Sequence, residues 1–172
     1  MGTFHIRAGG TKVTKAGRSH GIELWTNTAI PYATKGRTKL YLRPEHLSVC
    51  FASPTLLRVA VRAPALKVNL LVGHAPHSGH PRETVAAWWD QLVEQSRLAG
   101  SAPEVWMLDA NAAVGTPTSE AIGDHDAVPE SFAGECFHEK LLERAMCLPA
   151  TFDHIHRGPS HTWFSKNSRA AT

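Results

Sequence analysis

Apolar residues gather along this chain in short runs that stop abruptly. Val68 to Val72 is short, β-branched and apolar, the pattern of a buried strand. It breaks at Gly73 into a loop that holds His74, Pro76, His77 and His80. Val105 to Leu108 repeats the pattern and breaks at Asp109. One helix-length segment lies between the two runs. Buried strands joined through a helix are expected side by side, with their polar ends on one edge of the sheet. That edge would gather Asp109, Asn111, His74 and His77.

Other elements follow from the same patterning. Gly21 to Trp25 reads as a strand, and residues 29–40, with Pro31, Gly36, Lys35, Arg37 and Lys39, read as loop. His46 to Ala52, Thr55 to Arg62 and Leu66 to Val72 read as strands, the last two meeting across Ala63-Pro64-Ala65 as an antiparallel hairpin. Residues 81–99 predict a helix: Pro81 suits its start, Glu83 its first turn, and Gly100 its stop. Val85, Trp88, Trp89, Leu92 and Val93 form its apolar stripe, which places both tryptophans in the core. Gly115 to Pro129 reads as a polar loop containing Glu120, Asp124, His125 and Asp126, solvated charges in the first reading and metal ligands in the alternative. Cys136 to Met146 predicts a second helix, residues 153–158 a polar turn, and His161 to Ser165 a last strand. The fold class is therefore α/β with antiparallel pairs rather than a purely parallel sheet. Residues 1–18, with Arg7, Lys12, Lys15 and Arg18, read as a basic arm, solvated or in contact with phosphate, and 19–172 as one domain.

Composition narrows the setting. A chain of 172 residues with 42% apolar and 19% charged side chains can bury a sizeable core. Its formal net charge of +3 permits a polyanionic partner without requiring one. Cys50, Cys136 and Cys147 are too few and too scattered for a disulfide framework or a four-thiolate zinc site. No apolar stretch reaches the ~18 residues of a membrane span, and the N-terminus carries no signal-peptide pattern. The expectation is an intracellular protein, cytoplasmic or nuclear, without a membrane partner.

Asp-x-Asn at the end of a buried strand has a chemical use. The carboxylate can orient or deprotonate a water, and the amide can donate to a phosphoryl oxygen while accepting from a neighbour. Neighbouring histidines can donate to a phosphate. A turn-capping Asp followed by an Asn in left-handed conformation produces the same pattern. A zinc site from His74, His77 and His80, or from His154 with His156, is a further reading.

Three motifs in order carry a resemblance. They are Gly73-His74-Ala75-Pro76-His77-Ser78-Gly79, Leu108-Asp109-Ala110-Asn111-Ala112, and Gly158-Pro159-Ser160-His161-Thr162-Trp163. Together with Gly21-Ile22-Glu23-Leu24-Trp25, they resemble strands of the endonuclease/exonuclease/phosphatase superfamily, in particular the endonucleases of non-LTR retrotransposons. The resemblance implies a layered α/β sandwich with mixed, largely antiparallel sheets. It implies hydrolysis of a phosphodiester, in nucleic acid with DNA favoured, assisted by Mg²⁺ or Mn²⁺. It assigns Asp109 to activating water and ligating the metal, Asn111 to holding water or phosphate, and His74 and His77 to phosphate contact. Thr162, Trp163, Ser165 and Asn167 would contact substrate. The family's Gln-Glu strand has no counterpart, and Thr172 precedes its Ser-Asp-His segment. The expectation is an incomplete copy with weak or no activity, the alternative being a non-catalytic nucleic-acid-binding remnant or degenerate retroelement fragment.

Overall fold

In chain order the apolar runs become strands β1 (Thr3–Ala8), β2 (Ile22–Asn27), β3 (Ala33–Lys35), β4 (Thr38–Leu40), β5 (Leu47–Ala52), β6 (Leu56–Ala63) and β7 (Leu66–His74). Helix α1 (Arg82–Arg97), β8 (Glu104–Asp109), β9 (Gly115–Thr116), β10 (Val128–Pro129) and helix α2 (Phe132–Glu143) follow. This computed structural model describes residues 3–8 and 21–159. The chain is mixed α/β, with a four-stranded sheet that is mostly antiparallel and three two-stranded pairs. It forms two compact units, one within residues 1–76 and 87–111, the other within 77–86 and 112–172.

The first unit is built on the sheet β5-β6-β7-β8. β5, β6 and β7 run antiparallel, and β7 and β8 run parallel. The expected hairpin is present: Ala63 pairs with Leu66, leaving Pro64 and Ala65 as the turn. Proline fixes the first turn residue, and Ala65 takes a φ of 63°, the combination of a type II turn.

The central strand β6 is buried on both faces along most of its length, its apolar run interrupted at Arg58 and Arg62. On one face lies the β1–β2 ribbon, whose Ile6, Ala8, Ile22 and Leu24 pack on Leu57 and Val59, with Phe4, Leu47, Leu70 and Val72 at the margin. Residues 3–8 are thus a strand rather than part of a solvated arm. Their alternation of Phe4, Ile6 and Ala8 with Thr3, His5 and Arg7 is a period-two pattern too short and too weakly apolar to stand out. Arg7 lies on the outward side, where its Nε meets Glu23 Oε1 at 2.8 Å. Lys12, Lys15 and Arg18 lie outside the described residues. Residues 29–40, expected as loop, contain the β3–β4 hairpin, which turns at Gly36 with a φ of 62°.

Helix α1 covers the other face. Trp88, Trp89, Leu92 and Val93 are buried, so both tryptophans are core, as their spacing implies. Trp88 Nε1 donates to Thr55 Oγ1 at 3.1 Å, and Ser96 Oγ donates to Glu104 Oε1 at 2.6 Å. Buried Asn69 donates through Nδ2 to the Ala99 carbonyl at 2.9 Å and accepts from Arg62 Nη2 at 2.8 Å. Gly100, at a φ of 76°, lies beyond the helix end.

In the second unit, β9 and β10 form a short parallel pair. Helix α2 starts at Phe132, not at the expected Cys136. The reason is Ser131, whose Oγ accepts from Gly134 N at 3.1 Å and from Ala113 N at 3.2 Å. Ala133, Phe137 and Leu141 carry its buried side, and Ala121 and Ile122 are also buried in this unit. Gly134 admits no side chain: a Cβ there would lie 1.9 Å from the Ala113 carbonyl oxygen.

Two substitutions test these backbone assignments by urea unfolding. Ala65→Gly removes left-handed strain at the hairpin and is expected to stabilise by about 0.5–1 kcal/mol. Gly134→Ala forces α2 away from residue 113 and is expected to destabilise by about 1–3 kcal/mol or more.

Candidate functional site

The candidate rim forms where β7 and β8 end. Their parallel register aligns Gly73 with Leu108 and His74 with Asp109. Side chains at aligned positions project to the same face, so His74 and Asp109 stand next to each other. His74 Nε2 lies 3.6 Å from Asp109 Oδ2, and both side chains are more than half exposed, at 58% and 66%. The carboxyl ends of adjacent parallel strands are a common place for ligands in α/β sheets.

Backbone bonds fasten the two strand ends. Ala75 N donates to the Asp109 carbonyl at 2.8 Å, and Asn111 Nδ2 donates to the Ala75 carbonyl at 2.8 Å. Asn111 takes a φ of 46°, and its N–H points to Asp109 Oδ1 at 3.3 Å. The turn-capping arrangement that Asp-x-Asn permits is therefore present. It leaves Asp109 Oδ2, one N–H of the Asn111 amide and the His74 ring to face solvent or a ligand.

The structure thus brings together three of the four residues expected at the rim: His74, Asp109 and Asn111. His77 belongs to the second unit. Its Nδ1 accepts from Gly79 N at 3.0 Å, which leaves Nε2 to carry the ring proton, and its ring centroid lies 4.6 Å from that of His80. A Cβ at Gly79 would come within 2.7 Å of the His77 ring, so a side chain there would push the imidazole aside. Thr162, Trp163, Ser165 and Asn167 lie outside the described residues.

The donor set at the rim does not make a magnesium site on its own. Mg²⁺ takes oxygen ligands in near-octahedral array, whereas His74, Asp109 and Asn111 bring a single carboxylate. Among the described residues no group of three or more His, Cys, Asp and Glu side chains is placed to hold a metal ion. The zinc readings of His74 with His77 and His80, and of His154 with His156, gain no support from that arrangement.

Sequence reasoning missed a second constellation. In the second unit His138 Nδ1 faces Glu130 Oε1 at 2.6 Å and its Nε2 faces Ser119 Oγ at 2.6 Å. Both members of the His138–Glu130 pair are buried, at 8% and 7% side-chain exposure. The order serine–histidine–carboxylate matches a nucleophilic relay. Hydrogen-bond accounting says otherwise. Ser119 Oγ donates to His138 Nε2 as a relay would require, but it already accepts from Ala121 N at 2.9 Å and Ile122 N at 3.3 Å, which leaves it no lone pair to attack a substrate. The network ties the 119–122 turn and Glu130 to α2. No local pattern announces it, because the partners are 19 and 8 positions apart.

No family model, no curated protein and no solved structure matches this chain. Among the described residues no helix is long and apolar enough to cross a membrane.

Replacing His138 with leucine strands the buried Glu130 carboxylate. His138→Leu is expected to lower stability by about 3 kcal/mol, as measured by urea unfolding, while leaving the β7–β8 rim intact.

Proposed function

We propose that the β7–β8 rim serves hydrolysis of a phosphodiester in nucleic acid, DNA in preference, as an endonuclease would. The observation that carries this reading is the alignment of His74 with Asp109 at the ends of two adjacent parallel strands, 3.6 Å apart and open to solvent. The resemblance of the two strand-end motifs to the endonuclease/exonuclease/phosphatase superfamily supports it. In this reading Asp109 Oδ2 accepts a proton from the attacking water, while the free N–H of the Asn111 amide and the His74 ring donate to phosphate oxygens. Mg²⁺ or Mn²⁺ would supply Lewis-acid assistance in such chemistry. Asp109 brings one carboxylate to such an ion, which is short of a complete site, and the roles above are those of the chain's own side chains.

A second reading is a non-catalytic module that keeps the fold and some affinity for nucleic acid. The observation favouring it is the Asp109–Asn111 turn, which gives both residues a structural duty.

A duplex-cleavage assay with Mg²⁺ and with Mn²⁺ separates the two. Asp109→Ala is expected to slow cleavage by about 10²-fold or more, the usual worth of a positioned acid–base group. Equal rates for wild type and variant would remove the catalytic reading and leave the binding one.

A further inference from the structure

Away from the rim, the second unit joins two loops through one imidazole. His125 Nδ1 is hydrogen-bonded to the Asp153 carboxylate, and its Nε2 lies 2.6 Å from the Gly158 carbonyl oxygen. Neither acceptor brings a proton. A neutral imidazole has a single N–H and satisfies one of them; only the imidazolium satisfies both. The ring's charged surroundings are compatible with a cation. Asp126 Oδ2 lies 3.8 Å from Nε2, and Asp153 is in direct contact. Among the described residues the further titratable ring against it is His156, edge-on with centroids 5.7 Å apart. The His125 backbone N–H donates to the Thr151 carbonyl at 3.0 Å, so the ring's starting point is anchored independently.

We propose that His125 is a proton-operated clamp that, when doubly protonated, holds residues 153–158 against the 124–126 loop, and on losing a proton lets the Gly158 end go. The bond to Asp153 is charge-assisted and the stronger of the two, so deprotonation removes the proton that faces Gly158. The carbonyl of Gly158, followed by the Asp153 hydrogen bond, raises the pKa of His125 above its ordinary 6.5, with partial burial opposing and the charges of Asp126 and Asp153 assisting. With the folded value raised, the contribution of the clamp is complete below the unfolded value and is lost as pH climbs through the folded one.

Trypsin reads this directly, because Arg157 is exposed and the bond it would cut precedes the Gly158 residue that the clamp holds. Cleavage after Arg157 in the full chain is measured from about pH 6 to pH 8.5, across the range in which a histidine titrates. Each rate is divided by that for a small arginine peptide. The normalised rate is expected to rise with pH, by at most about tenfold per unit because one proton is involved, and then to level off. His125→Ala is expected to cut fast with no pH dependence. Asp153→Asn is expected to move the rise to lower pH. The ring ¹⁵N titration of His125 supplies the readout should the alanine variant not fold, with a midpoint expected above 6.5 in wild type and lower in Asp153→Asn. A flat wild-type profile, a profile parallel to that of His125→Ala, or a ring midpoint at or below 6.5 would overturn the clamp.

Discussion

The contact on which the candidate rim depends lies on the opposite side of the sheet. Gly73 presents bare backbone to α1 and to β8: a Cβ there would come within 2.8 Å of Leu108 Cδ2 and 2.9 Å of the Trp88 ring. The close approach of Trp88 and Leu108 leaves no room for a side chain at this position. It therefore sets how tightly helix, β7 and β8 stack at their ends. One residue further along, the strand period of two turns the chain to the other face, and His74 emerges beside Asp109. A packing constraint inside the first unit thus determines which polar groups meet in solvent.

The histidines show how hydrogen-bond accounting separates duties that residue type alone does not. His138 is buried, each nitrogen meets a group of complementary role, and the network holds α2 to its neighbouring turns. His74 and His77 are exposed and keep bonding capacity in reserve, which suits contact with a ligand. His125 has more acceptors than a neutral ring has protons, and that surplus makes its contacts sensitive to protonation. The same side chain is structural, available or conditional according to what its two nitrogens face.

Legibility in the sequence followed the range of the interactions. The unit from Leu66 to Asp109 was readable because both strands are apolar on two faces, the helix between them keeps one stripe, and Gly100 lies where it stops. That sufficed for the parallel neighbours and for three of the four rim residues. β1 and the β3–β4 hairpin were not readable, since short half-apolar strands gain their stability from pairing and from the core beneath them rather than from local preference. The start of α2 was misplaced although Ser131 carries a cap signal, because its value rests on the amide of Gly134 and on backbone at residue 113.

The order of apolar runs, the turn at Pro64-Ala65 and the helix stripe are local properties, and the sequence by itself determined from them an α/β chain with His74 and Asp109 on one sheet edge. Only the tertiary structure decided that Asn111 is committed to a turn and to the Ala75 carbonyl, that Ser119, Glu130 and His138 form one buried network, and that His125 reaches Asp153 and Gly158. The reason is physical: a side chain's role is fixed by which donors and acceptors surround it, and those partners arrive from positions tens of residues away once the backbone has folded.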